Sequence, residues 1–188
     1  MKSLNTAFSF APPSILSLTI YHGTISDIDN IDLTAGRGYK DFGKGFYLAY
    51  NKAQSIGIIN KNYKIALKRK QSAIKKILYA FDTSQDNLEK CRVKVFNSAD
   101  LEWLDFILMC RKSPNTPHEF DVVIGPTADD DTSLCLNMYN EGVYGPVGSE
   151  GAKQTLLRNL EVENLGTQVF IGTSKGLSIL YNKREVDI

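Results

Sequence analysis

Short apolar runs that end at or near turn residues predict six β-strands in this chain. Each run is rich in β-branched or aromatic residues, and Gly, Pro, Asn or Asp stands at or close to its end. The predicted strands are 15–21, 46–50, 77–82, 91–96, 120–126 and 167–173.

Helical spacing is found between these runs. Asn51 is a good N-cap for a helix over 52–60, and Ser98 for an amphipathic helix over 101–111 whose Trp103 is expected to pack on the sheet. Two further helices are predicted over 132–140 and 152–159, while 175–181 suits either a short helix or a strand.

The order of these elements favours an α+β fold with a split antiparallel β-sheet core over a Rossmann fold. Strands cluster early and late with helices between them, without the strict alternation of strand and crossover helix that a parallel sheet requires. Prolines 12 and 13 interrupt both helix and strand. We therefore expect an N-terminal lead-in over 1–13 and a single domain over 14–188.

Composition sets the broad class. With 188 residues and 43% hydrophobic content, the chain can bury a substantial core. A formal net charge of +1 gives no overall attraction to nucleic acid or membrane. The sequence has neither a signal-peptide pattern nor a run near the ~20 apolar residues of a membrane span. We expect a cytoplasmic protein without membrane partners, although delivery into another cell by a signal-less route stays open.

Cysteine and acidic residues do not indicate a metal site. Cys91, Cys110 and Cys135 are odd in number and irregularly spaced, as expected of reduced thiols. The triplet 129–131 is expected to cap the following helix. His118, in a polar loop, is expected at the surface.

One segment is locally basic. Residues 61–76 contain seven Lys or Arg and no acidic residue. This pattern favours a solvated face, with a patch for a phosphate-rich substrate as the alternative.

Glycines stand beside a histidine and a tyrosine on two early elements. Tyr-His-Gly-Thr spans 21–24, and Phe-Gly-Lys-Gly-Phe-Tyr-Leu spans 42–48. With Trp-Leu-Asp-Phe, Phe-Asp-Val-Val-Ile-Gly-Pro and Gln-Val-Phe further along, the chain resembles a bacterial family of unknown function, DUF3990. That family is similar to the ADP-ribosyltransferases of the diphtheria-toxin and poly(ADP-ribose) polymerase type.

The resemblance implies that NAD is a co-substrate and assigns roles around it. It implies catalytic roles for His22, Tyr47 and Gln168. His22 would bind the adenosine ribose, the backbone of Gly23 would pair with the nicotinamide amide, and the ring of Tyr47 would stack on nicotinamide. Thr24, Arg37 and Gly45 complete the implied cofactor-binding set.

Gln168 stands where these transferases usually carry a glutamate. Exchanging a charge-assisted hydrogen bond for a neutral one costs about 1–2 kcal/mol, whereas losing a general base costs about 10²–10⁴-fold in rate. We therefore expect mono-ADP-ribosylation of a macromolecular acceptor, protein or nucleic acid, or NAD hydrolysis. Glu161 or Glu163 could supply the acid instead.

Two other interpretations stay open. The protein could be a catalytically silent module that binds NAD or ADP-ribose, with Gln168 marking lost chemistry. It could also be a toxin or effector held in check by a small antitoxin-like partner. Taken singly, His22 and Tyr47 are also common structural residues.

Overall fold

The chain folds into one mixed β-sheet with helices on both faces. A computed structural model describes residues 18–128, 130–160 and 166–188. The predicted lead-in, the first three residues of the first predicted strand, Asp129, Glu161 and Glu163 lie outside these ranges, and the side chains of residues 130 and 131 are not described either.

Within these described ranges, seven strands form the sheet in the order β4-β5-β6-β2-β1-β3-β7. Their bounds are β1 Leu18–Thr24, β2 Phe46–Ala49, β3 Ile77–Thr83, β4 Val93–Val95, β5 Val122–Pro126, β6 Thr167–Ile171 and β7 Tyr181–Glu185. The α+β class is confirmed. The sheet is not purely antiparallel, because β4 and β5 run parallel. All six predicted strands are present.

Six helices connect or follow the strands within the described ranges. They are α1 Lys52–Lys68, α2 Gln85–Leu88, α3 Leu101–Arg111, α4 Asp130–Asn140, α5 Glu150–Asn159 and α6 Ser174–Leu177. Asn51 caps α1 as predicted, since its side chain accepts from the Ala53 N–H. The cap of α3 is Asp100 rather than Ser98, because the Asp100 carboxylate accepts from the Trp103 N–H.

Alternate residues of β2, β5 and β6 divide between two hydrophobic clusters, one on each face of the sheet. On the face covered by α3, α4 and α5, called the helical face below, Phe170 of β6 packs with Trp103 of α3 and Leu156 of α5. On the opposite face, Ile20 and Phe46 pack with residues of α2, α6 and the segment 28–33. A residue's position along its strand therefore decides which of the two clusters its side chain joins.

None of the helices in the three described ranges has the length and apolar character needed to cross a bilayer. The three cysteines are free thiols, as expected. Burial is the main reason that the pKa of Cys110 rises to about 12, so this thiol is unreactive.

Candidate functional site

The sheet is interrupted between β1 and β2. All four residues of β2 pair with β6, yet only Ala49 of β2 pairs with β1, through Tyr21. In an antiparallel ladder His22 would next face Leu48, and Gly23 would then face Tyr47. Neither pair joins the ladder. We call this unpaired stretch at the end of β1 the gap.

His22 lies at this gap. Its Nδ1 is 2.7 Å from the carbonyl oxygen of Tyr47. Since a carbonyl only accepts, Nδ1 carries the proton and Nε2 keeps its lone pair. The imidazole stacks on Phe46 with ring centroids 4.3 Å apart. Burial lowers the pKa of His22, partly opposed by the bond to Tyr47, which favours this neutral tautomer at neutral pH.

Tyr47 sits on the helical face and is tied to the loop before β2. Its hydroxyl donates to the Gly43 carbonyl at 2.7 Å and accepts from the Phe42 N–H at 3.1 Å. Its ring meets Phe170 edge-on at 5.2 Å. Burial, and then the nearby Asp41 carboxylate, raises the pKa of Tyr47 well above its usual value, so the phenol stays protonated.

Gln168 belongs to a buried polar network. Its amide donates to Oδ2 of Asp41 at 2.9 Å and lies 3.4 Å from the carbonyl oxygen of Pro126. The other carboxylate oxygen of Asp41 meets the Arg111 guanidinium, with Nη2 at 2.6 Å and Nε at 2.8 Å. The Ala128 N–H donates to Asp41 as well. The Asp41 carboxylate thus joins β6, α3 and the segment that follows β5.

Gly23 and Gly45, two of the predicted cofactor-binding residues, are packed closely against neighbouring parts of the chain. A Cβ at Gly23 would lie 2.3 Å from the Ser55 carbonyl oxygen of α1, and a Cβ at Gly45 would lie 2.4 Å from the Ile171 carbonyl oxygen. Both therefore permit close packing of neighbouring elements. Their side-chain positions offer no room to a ligand.

Neither of the remaining two predicted cofactor-binding residues is buried. Thr24 closes the turn after β1, where its hydroxyl donates to the Ser26 carbonyl and accepts from the Ser26 N–H. Arg37 is exposed in the loop between β1 and β2, and the neighbouring Gly36 packs near the backbone of Gly45.

The three side chains predicted to be catalytic do not converge. Tyr47 and Gln168 share the helical face and both bond to the segment 41–43, whereas His22 stacks on Phe46, on the opposite face. The physical reason is that side chains alternate between the two faces along a strand. His22 lies on the same face of the sheet as Ile20, whereas Tyr47 lies on the same face as Phe170. What meets at the gap is the His22 ring, the Tyr47 backbone and Gly23.

Sequence reasoning missed Asp41 and Arg111. Asp41 stands in a loop and Arg111 at the polar end of an amphipathic helix. Only the contact between their side chains in the folded protein shows that they belong together. It also misplaced His118, which is half-buried beside Phe106 and Phe170 with Nε2 at 2.8 Å from the Phe42 carbonyl oxygen. Like the bond of His22, this one links the histidine to a backbone carbonyl.

Among the residues with described positions, no three His, Cys, Asp or Glu side chains gather closely enough to hold a metal ion. The neutral Nε2 of His22 can accept a hydrogen bond from a hydroxyl.

Comparison with known proteins gives one match. A family model described as a protein of unknown function, DUF3990, matches residues 18–181. No curated protein and no solved structure matches this chain.

Proposed function

Because this chain belongs to the DUF3990 family, whose function is unknown, we propose a function for it. In this proposal NAD binds at the gap between β1 and β2. The bound NAD then donates one ADP-ribose to a macromolecular acceptor, or is hydrolysed when no acceptor is present. The carrying observation is that β1 continues to Thr24 although its pairing with β2 stops at Tyr21 and Ala49.

The gap suits nicotinamide. A carboxamide offers a donor and an acceptor side by side, the same pair of groups that one strand offers another. Nicotinamide would take the place of the missing ladder pair at Gly23. In this proposal Tyr47 contributes backbone and a fixed wall, because its hydroxyl is already bonded to Gly43.

His22 supplies the polar group beside the gap. Its Nε2 would accept a hydrogen bond from a ribose hydroxyl, and the bond from Nδ1 to Tyr47 fixes the tautomer that makes this possible. As nicotinamide leaves, positive charge develops on the ribose, and a neutral imidazole does not oppose it.

Gln168 takes no part in the reaction as proposed. Its amide already donates to Asp41, so the acceptor must bring its own nucleophilic charge, as a carboxylate or phosphate does. Transfer of a single ADP-ribose follows, since the elongation of a polymer needs a general base to activate a hydroxyl.

The bonding of Gln168 also favours a second candidate, a module that binds NAD or ADP-ribose without turnover. Here the gap would hold the dinucleotide, and no side chain would promote cleavage.

Labelled NAD separates these candidates. We would measure nicotinamide release, transfer of label into a cell extract, and NAD binding by calorimetry. The variants are His22→Ala and, as a control, Lys90→Ala, at an exposed position between α2 and β4. Circular dichroism would confirm that both are folded.

Each outcome assigns one answer. Turnover that falls at least tenfold in His22→Ala and persists in Lys90→Ala supports the transferase. Binding without turnover supports the silent module. If the parent protein neither binds nor cleaves NAD, both candidates are wrong.

The same proposal includes a small antitoxin-like partner that restrains the activity. Poor growth on expression, relieved by coexpression of a neighbouring reading frame, would support it, and unimpaired growth with active enzyme would contradict it.

A further inference from the structure

Positive charge is concentrated on the second half of α1 and the turn that follows it. Residues 42–81 contain nine Lys or Arg, two before residue 61 and seven from 61 to 76, and no Asp or Glu, although the whole chain carries only +1. The basic surface is defined here by the seven later residues, Lys61, Lys64, Lys68, Arg69, Lys70, Lys75 and Lys76. It lies on the second half of α1 and the turn before β3.

Three of these lysines share the outward face of α1. Ser55, Ile59 and Ala66 are the buried residues of the helix and define its inward face. Helical geometry places positions 61, 64 and 68 opposite them, with spacings of about 4.5 and about 6 Å along the axis. The three lysines therefore stand in a row along the helix.

Most of the charge on this surface is uncompensated. Within residues 18–128, 130–160 and 166–188, Lys64, Lys68, Arg69 and Lys70 pair with no carboxylate. Lys75 does reach Glu185, at 3.4 Å. Unpaired cations attract counterions, and a polyanion that displaces these counterions gains binding free energy.

The turn after α1 adds a concave element. An open cavity of about 540 Å³ is lined by Ile25, Ser26 and residues 70–74. Lys70 and Ala73 adopt left-handed backbone conformations, with φ of 54° and 57°. Lys70 stands where a helix commonly ends in glycine, so a lysine there costs stability and keeps a charge at the mouth of the cavity.

We propose that the basic surface binds the phosphodiester backbone of a nucleic acid, with one phosphate group seated at the cavity beside Lys70, Ser26 and Ser72. A lysine row tracks successive phosphates, and hydroxyl and backbone groups of the cavity can donate to phosphate oxygens.

A bilayer fits this surface less well. The exposed aliphatic residues of α1 are Ile58 and Ile65 on one flank and Leu67 on the other. Helical spacing puts the lysine row between them. No continuous apolar strip is left that could enter a membrane interface.

The basic surface also lies close to the gap. Thr24, the last residue of β1, pairs with Ile77, and the Lys75 N–H donates to the Ile25 carbonyl at 3.0 Å. A bound nucleic acid would therefore pass the end of β1 at which the gap opens. Its role as the ADP-ribose acceptor rests on the proposed function; its binding does not.

The test uses labelled oligonucleotides of about 20 nucleotides, single-stranded RNA and duplex DNA, titrated with the full chain at several salt concentrations. The variant is Lys64→Glu with Lys68→Glu. The control has the same charge change at exposed lysines elsewhere, Lys90→Glu with Lys112→Glu. Vesicles of phosphatidylcholine with phosphatidylserine form a separate arm.

We expect the affinity of the Lys64/Lys68 variant to fall at least tenfold, with a shallower salt dependence because about two phosphate contacts are lost. The control pair should bind within a few-fold of the parent. Equal losses in both pairs, or no oligonucleotide binding by the parent at about 0.1 M salt, would overturn the proposal. So would preferential binding to the anionic vesicles.

These results do not depend on NAD cleavage. Loss of oligonucleotide binding with nicotinamide release unchanged would leave the proposed function standing, and the converse would leave the basic surface standing.

Discussion

Gln168 donates its side-chain amide to the carboxylate of Asp41, at 2.9 Å. Both residues are buried, and a carboxylate only accepts hydrogen bonds, so position 168 requires a donor. An amide meets that requirement and an ionised glutamate does not. The residue type at this position is therefore explained by the fold.

We predict that Gln168→Glu destabilises the protein and does not raise NAD turnover. At pH 7.5 two buried carboxylates would face each other, and we expect a loss of about 1–3 kcal/mol in the free energy of unfolding. The loss should shrink near pH 5, where a protonated glutamic acid can donate to Asp41. Urea denaturation at both pH values measures this.

The matched control is Gln154→Glu, at an exposed position of α5, which should change stability by less than about 0.5 kcal/mol. A gain of NAD turnover in Gln168→Glu without loss of stability would show that Gln168 faces substrate after all.

Asp41 and Arg111 should be strongly coupled. Removing Asp41 alone leaves a largely buried guanidinium without its carboxylate, and we expect Asp41→Ala to cost about 3 kcal/mol or more. The double variant Asp41→Ala with Arg111→Met should cost clearly less than the sum of the single changes. Urea midpoints of the three variants test this, and simple additivity would contradict it.

Two glycines should respond to alanine in opposite directions. At Gly23 a methyl group would meet the Ser55 carbonyl at 2.3 Å, and we expect a loss of about 1–3 kcal/mol as α1 is pushed away. At Gly57, in α1, nothing lies within 4 Å, and alanine should raise stability by about 0.5–1 kcal/mol through its helix propensity. Thermal melting of both variants checks the pair. A neutral Gly23→Ala would show that α1 can yield, with space for a ligand behind it.

Stability should fall as the pH drops below about 6.5. Burial lowers the pKa of both His22 and His118 below the ordinary value of 6.5. The unfolded chain therefore binds protons first, which favours unfolding at lower pH until the folded-state pKa values are reached. Urea unfolding between pH 7.5 and 5.5 should show this slope.

Replacing His22 by glutamine should remove the contribution of His22 to the slope of unfolding free energy against pH and leave that of His118. An unchanged slope in His22→Gln would mean that His22 titrates alike in both states.

Local sequence predicted the elements that bury an apolar face. The continuous apolar run in β3 and the spacing in α3 each follow from one-sided or complete burial. Strand β7 was missed because all five of its residues are exposed and polar or amphipathic. It is an edge strand held by pairing with β3, and such long-range pairing leaves no local pattern.

The candidate site was predictable only in part. The resemblance groups His22, Gly23 and Tyr47 around one ligand, and the structure places His22 Nδ1 2.7 Å from the carbonyl oxygen of Tyr47. The role of Gln168 was not predictable, because its partner Asp41 is 127 residues away. Short motifs do not record which side chain lies across the core.

The single register pair between Tyr21 and Ala49 has a mechanical consequence. It divides the sheet into two plates, β4-β5-β6-β2 and β1-β3-β7, that share one pair of strand residues. The plates are also joined by the helix α1, which lies against both, and by the apolar contacts of Ile20 and Phe46. Small rotations of one plate against the other would break few backbone bonds. Such rotations would widen or narrow the seam beside His22, and those apolar contacts limit how far they go.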